Sequence, residues 1–267
     1  MQKKILKIVV CIKQVIDTGA EIRVKDGRVD DEGSPRVLNP YDEFAVTEAL
    51  KVREQFPDST VTVVSLGPEG YRDTLRSALA MGADKAVHLL DPSFENIDPL
   101  GVAYVLAKAL RLLKFNLILC GRQAVDDDMS QVGPSLAAFL NVPCVAVVTK
   151  LDIDEEGTHA EITRQIAGGS EIIDAQLPLL ITCQKGLNQP KLPSLKGIIA
   201  AKKKEIEVMD AASVNFDPIA MGAEANRIQE VEISLPPKKD KGVILEGTSE
   251  EAVQQLVKIL RDDLKIV

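Results

Sequence analysis

The chain has 267 residues, of which 45% are apolar, so it can form one large α/β domain or two smaller ones around a real core. Its net charge of −8 argues against a protein that grips nucleic acid by neutralising phosphates. No run of about 18 apolar residues occurs, which excludes a membrane-spanning helix.

The first ten residues are basic and then apolar, without a long apolar stretch or a small-residue cleavage site. They read as a first strand and not a signal peptide, and Ile5–Cys11 has the continuous apolar run of a strand buried on both faces. Residues 17–38 are polar and carry the turn signals Asp26-Gly27 and Glu32-Gly33. Within them Glu21–Val24 and Arg36–Leu38 are expected to pair as a hairpin. Asn39-Pro40 then opens a helix, with Asn39 as N-cap and Pro40 at the first helical position.

Val61–Leu66 is a second buried strand, Tyr71–Met81 a helix ended by Gly82, and Lys85–Leu90 a third strand. Pro99–Leu113 is a helix, Leu117–Cys120 a strand, residues 130–140 another helix, and Val145–Val148 a strand. This alternation predicts a doubly wound, mostly parallel α/β sheet of Rossmann-like type. Beyond residue 150, Leu151–Ile153, His159–Gln165 and Ser170–Asp174 alternate apolar and polar residues around two turns. They predict an added antiparallel segment. Leu179–Cys183 is a last buried strand. From Gly186 onward no core element is evident for some sixty residues, a stretch that includes Pro190, Pro193, Pro218, Pro236 and Pro237. Ser249–Leu264 closes the chain as an amphipathic helix capped by Ser249, with Val253, Leu256, Val257, Leu260 and Leu264 on one face. The organisation expected is a nucleotide-binding domain over 1–185, a docking loop and helix over 186–205, and an extended arm with its helix over 206–267.

Chemistry concentrates at the strand ends. In a doubly wound sheet, ligands bind outside the carboxyl ends of the strands at the switch point. Here those ends are Cys11, Leu66-Gly67 and Cys120-Gly121. The last is followed by Arg122, Gln123, Ala124, Val125, Asp126, Asp127, Asp128, Met129, Ser130, Gln131, Val132 and Gly133. Gly121 lets a ligand approach the backbone closely, Ser130 and the free amides of the next helix suit a phosphate, and Gln123 and Gln131 suit a ribose or base. The three aspartates can hold ribose hydroxyls, cap the helix or face solvent; adjacent carboxylates point apart and make a poor metal site. Neither GxxxxGK[ST] nor GxGxxG is present. No catalytic set emerges. His88 sits inside a strand, and His159 lies on an exposed hairpin. Cys11, Cys120, Cys144 and Cys183 lack CxxC spacing, and read as buried free thiols in core strands of a protein from a reducing compartment. A second segment, 186–204, presents Leu192, Leu195 and Ile198 beside the basic triplet Lys202-Lys203-Lys204. It reads as a docking anchor flanked by charge that steers an acidic partner.

Five stretches together, 15–29 (VIDTGAEIRVKDGRV), 38–50 (LNPYDEFAVTEAL), 77–89 (SALAMGADKAVHL), 117–140 (LILCGRQAVDDDMSQVGPSLAAFL) and 187–208 (LNQPKLPSLKGIIAAKKKEIEV), resemble the β subunit of electron-transfer flavoproteins. The resemblance implies an αβ heterodimer whose α subunit carries a redox-active FAD while β holds a structural AMP. Such a heterodimer is a carrier without catalytic activity of its own. It accepts electrons from flavin dehydrogenases such as acyl-CoA dehydrogenases and passes them to a quinone oxidoreductase. By position, the resemblance places AMP contacts on Cys11, Asn39, Pro40, Tyr41, Asp42, Leu66 and Gly121 to Val132. It places the dehydrogenase anchor on Leu195, with Lys202 and Lys203 beside it, and reads the segment after 205 as an arm around α. In the electron-bifurcating branch a second FAD replaces AMP, and NADH is bound as well. The Asp126-Asp127-Asp128-Met129 run favours AMP, whereas Gln131-Val132-Gly133-Pro134 is closer to that branch. Thr18 and Ala200 depart from a tyrosine and a lysine found in other members. With no transit peptide visible, a bacterial cytoplasm is expected, or the mitochondrial matrix for a eukaryotic source.

Overall fold

The computed structural model describes residues 4–30, 32–237 and 242–266. The chain divides into two compact units. The larger contains the described residues up to Ile22 and Asp30–Val231, and the smaller contains Arg23–Val29 and the described residues from Glu232 onward.

In the larger unit, β1 (Lys7–Cys11) leads to a short strand β2 (Gln14–Ile16). β3 (Arg23–Lys25) and β4 (Arg28–Asp30) belong, up to Val29, to the smaller unit, and β5 (Arg36–Leu38) returns to the larger. The expected pairing of Glu21–Val24 with Arg36–Leu38 is corrected: β5 pairs antiparallel with β2, while β3 pairs with β4. Asp26 and Gly27, both at positive φ, turn the chain between β3 and β4, so these two strands pair with each other across a two-residue turn. Helix α1 (Pro40–Gln55) follows, then β6 (Thr60–Leu66), α2 (Tyr71–Met81), β7 (Lys85–Leu89), α3 (Pro99–Leu113), β8 (Leu117–Gly121) and α4 (Val132–Leu140). Gly82 at φ 129° ends α2, and Asn141 in the left-handed region ends α4. Asp98 caps α3 by accepting the Gly101 N–H.

The predicted strands Val145–Val148 and Leu151–Ile153 form one element, β9 (Cys144–Ile153), which continues into β10 (His159–Ile166) and β11 (Gly169–Gln176). β12 (Leu179–Cys183), α5 (Leu195–Lys203), β13 (Ile206–Met209) and α6 (Pro218–Met221) complete the unit. The nine-stranded sheet runs β11-β10-β9-β12-β8-β1-β6-β7-β13. Only the β9-β10-β11 end is antiparallel. The expected coreless run after Gly186 is therefore corrected over its first part. β13 pairs in parallel with β7 and closes that edge of the sheet, and Ala201 of α5 is buried.

Strand alternation sorts the core onto two faces. Ile8 and Val10 of β1 pack with α1 and α2 on one face, and Val9 and Cys11 pack with α3 and α4 on the other. The chain leaves β1 toward α1 on the first face and leaves β8 toward α4 on the second. Because β1 and β8 are neighbours, a crevice opens between their carboxyl ends.

In the smaller unit, α7 (Ser249–Lys258) continues into a wider π-type turn, Ile259–Asp263. Its cap is Thr248 and not Ser249. Thr248 accepts the Glu251 N–H while the Glu251 carboxylate accepts the Thr248 N–H, a reciprocal capping box. Val253, Leu256, Val257 and Leu264 are exposed.

Candidate functional site

At the β1/β8 crevice lies a cleft of about 690 Å³, within the size range of small-molecule sites. The start of α1 builds its back wall. Asn39 occupies the N-cap position of α1 but does not cap it. Its amide instead donates to the Gln123 carbonyl at 2.9 Å and accepts the Val125 N–H at 3.2 Å. Asp42, only 5% exposed, accepts the Lys13 N–H at 2.7 Å and the Gly121 N–H at 3.0 Å. Two side chains of one helical turn thus tie the end of β1 to the end of β8 and to the loop beyond it. Burial pushes the Asp42 carboxyl up to about 7, against the downward pull of the Lys13 and Gly121 N–H groups and of Asn39. Gly121 must lack a side chain, because a Cβ there would run into the Asp42 carboxylate and stand 2.8 Å from the Tyr41 Cβ.

The aspartate run resolves into three roles. Asp126 and Asp127 accept from the Lys13 ammonium at 2.8 and 3.1 Å. Asp127 also accepts the Met129 N–H, and Asp128 accepts from the Gln123 side chain. Gln123 in turn accepts the Ser130 hydroxyl at 3.1 Å. Burial works to lower the Lys13 ammonium, and the two aspartates outweigh it and hold the ammonium above its usual range. The loop is thereby braced by its own charges, with Asp128 and Ser130 at positive φ. It ends at α4, whose N-terminus no side chain among the described residues caps. Val132 and Gly133, the first two residues of α4, both line the cleft, and Pro134, the third, has no N–H.

The structure brings Cys11, Asn39, Asp42, Leu66, Gly121 to Ala124, Asp127 and Met129 to Val132 onto one cleft wall. Pro40, Tyr41, Val125, Asp126 and Asp128 are not part of this lining; Val125 donates its N–H to Asn39, and Asp126 and Asp128, both exposed, pair with Lys13 and Gln123. Leu195, Lys202 and Lys203 lie apart from it on α5, all exposed, with Leu195 76% exposed. Sequence reasoning missed the segment after β7 and the start of α3, from which apolar Phe94, Ile97, Val102 and Leu106 join the lining together with Asp91, Glu95 and Asn96. The signal was available, because β7 also ends at this edge of the sheet and the loop after it carries Asp91, Glu95 and Asn96, which line the cleft. The thiol expectation holds for Cys11, Cys120 and Cys183, which are buried, and is corrected for Cys144. That residue is exposed at the start of β9, where the strand emerges past Pro143. His88 is fully buried, with its Nε2 2.9 Å from the Gly67 carbonyl, and burial lowers its pKa. Among the described residues no group of three or more metal-ligating side chains forms, and no helix is long and apolar enough to cross a membrane.

A mostly parallel, doubly wound sheet with an open cleft at its switch point, extended by an antiparallel edge, defines an α/β protein of the ligand-binding, Rossmann-like class. The electron transfer flavoprotein domain matches residues 26–214. The chain is 38% identical to the electron transfer flavoprotein subunit beta of Bacillus subtilis, covering 98% of this chain and all of the relative. It is 40% identical to the corresponding subunit of Thermoanaerobacterium thermosaccharolyticum over 96% and 98% of the two chains. It is 36% identical to the caffeyl-CoA reductase-Etf complex subunit CarD of Acetobacterium woodii over 96% and 98%. The chain belongs to the electron transfer flavoprotein family, among its beta subunits.

Proposed function

We propose that this chain is the non-catalytic half of an αβ electron carrier and that AMP fills the switch-point cleft as a structural ligand. The observation that carries this reading is the uncapped N-terminus of α4 opening onto a cleft with apolar walls, in a chain of this family. The residues present suit the ligand. The Val132 and Gly133 amides at the start of α4 would serve a phosphate, while Gln123, Gln131 and the strand-end backbone at Cys11 and Leu66 would serve ribose and base; all of these residues line the cleft. Lys13 holds Asp126 and Asp127 in ion pairs, which limits their repulsion of the phosphate. In the heterodimer the α subunit contributes FAD, which supplies the electron-carrying chemistry when bound. This chain supports α through the arm after residue 205. It presents the 186–205 segment, with Leu195 as anchor and Lys202 and Lys203 as steering charges, to a flavin dehydrogenase of the acyl-CoA dehydrogenase kind. Electrons then leave to a quinone oxidoreductase. A bacterial cytoplasm suits this role, or the mitochondrial matrix for a eukaryotic source.

A second reading is favoured by apolar Phe94, Ile97, Val102 and Leu106, which join the cleft lining from the segment after β7 and the start of α3. In that reading a second FAD replaces AMP, NADH is also bound, and the complex bifurcates electrons. One experiment separates the two. The chain is purified with its co-expressed α partner, the complex is denatured, and the released nucleotides are counted by chromatography. One FAD and one AMP per heterodimer is the result expected. Two FAD and no AMP would establish the second reading, and no nucleotide in this chain would overturn both.

A further inference from the structure

Cys11 and Cys120 are directly opposite neighbours on the parallel strands β1 and β8, in register with each other. Both side chains lie on the α3/α4 face and both line the cleft. Adjacent strands stand about 4.8 Å apart, inside the Cα separation of about 4.4–6.8 Å that a disulfide spans. Each residue is nearly buried by protein, at 7% and 6% exposure, and the cleft is the route by which a small molecule meets them. Cys183, on the next strand but one from β1, packs on the opposite face of the sheet. Neither thiol is needed by the function proposed above, in which only the Cys11 backbone takes part.

We propose that Cys11 and Cys120 form a paired-thiol site on the cleft wall, which closes to an intramolecular disulfide by exchange with a small disulfide such as oxidised glutathione. The sulfur of Cys11, as thiolate, attacks one sulfur of the incoming disulfide, and a mixed disulfide forms as the first glutathione thiolate leaves. The sulfur of Cys120 then attacks the Cys11 sulfur and expels the second. Two cysteine thiols are oxidised and one glutathione disulfide is reduced to two thiols, which carry away the two protons.

The test uses the full chain carrying Cys144→Ser, which removes the exposed thiol and leaves three of the four cysteines. Samples as purified, and after any bound nucleotide has been stripped, are exposed to oxidised glutathione under native conditions, then digested without reduction and mapped by mass spectrometry. The titratable thiols should fall from three to one in at least one sample, with the Cys11 and Cys120 peptides linked and Cys183 free. Cys11→Ser or Cys120→Ala in the same background should abolish the linkage; two variants guard against one failing to fold. Three free thiols in both samples, a glutathione adduct that never resolves, or a linkage to Cys183 would each overturn the proposal. The last would mean that the sheet had opened.

Discussion

Asp42 carries the largest consequence of any single side chain. A carboxylate in ordinary water titrates near 3.8; here burial raises the group to about 7. Between those values the folded chain keeps a proton that the unfolded chain has released. Stability from this group is therefore greatest at acid pH and is lost as pH rises through about 7. Asp42→Asn removes the titration while keeping the shape of the protonated group. The difference in urea-derived stability between variant and parent should move in favour of the variant from pH 5 to pH 8, by about 2–3 kcal/mol. A difference independent of pH would show that Asp42 is ionised throughout, with the Lys13 and Gly121 amides outweighing its burial. The position has a cost in either state: the asparagine has one acceptor oxygen for two backbone donors, so the variant should also bind a cleft ligand less tightly at every pH.

At the scale of elements, α5 is held to its neighbours by backbone contacts that leave little trace in composition. Arg76 of α2 donates to the carbonyls of Ala201 and Lys204, and the Lys204 ammonium reaches the Ala83 carbonyl at 2.5 Å. Gly197 lies against α2 so closely that a Cβ would collide with the Ala80 carbonyl oxygen. The root of the segment is fixed by Asn188, which donates to the Phe44 carbonyl and to the buried Glu48 carboxylate at 2.9 and 2.7 Å. Gly197→Val should therefore loosen α5 at a cost of about 1–3 kcal/mol. Amide hydrogen exchange over 195–203 should rise while that of β1 and β8 stays unchanged; unchanged exchange in α5 would show that the helix has room to shift. The parallel strands were legible in the sequence as short continuous apolar runs, and α2 and α3 by burial that repeats every third and fourth residue. β13 was not, because Ile206–Met209 is four residues long, exposes its two middle positions, and earns its place only by pairing with β7, far back along the chain. The same limit hid Phe94 and Leu106, which join the cleft through the fold. By contrast the T-x-x-E signal at Thr248 and Glu251 was present in the sequence, and choosing Ser249 instead missed it by one residue.

For the whole molecule, the separation between the cleft and the segment proposed to dock a partner decides what a mutation can disturb. Leu192 and Leu195 are 81% and 76% exposed, on a segment whose root and helix are held by the contacts just described. A large apolar side chain in water on a rigid mount gains about 1.5–3 kcal/mol when a partner covers it, with little ordering entropy to offset the gain. Leu195→Ala, tested as the reconstituted heterodimer with an acyl-CoA dehydrogenase, should raise the KM for the heterodimer about 10- to 100-fold. The kcat at saturation should change far less, and the nucleotide content not at all. Lys202 and Lys203 lie exposed in the last turn of α5 on a chain of net charge −8, so they form a local positive patch against an acidic background. Lys202→Gln with Lys203→Gln should leave the apolar contact intact. The double variant should flatten the dependence of the second-order rate on ionic strength, because steering charge acts on encounter and is screened beyond about 10 Å at 0.1 M salt. Equal losses in KM and kcat for Leu195→Ala, or loss of nucleotide with it, would place this residue in assembly rather than docking.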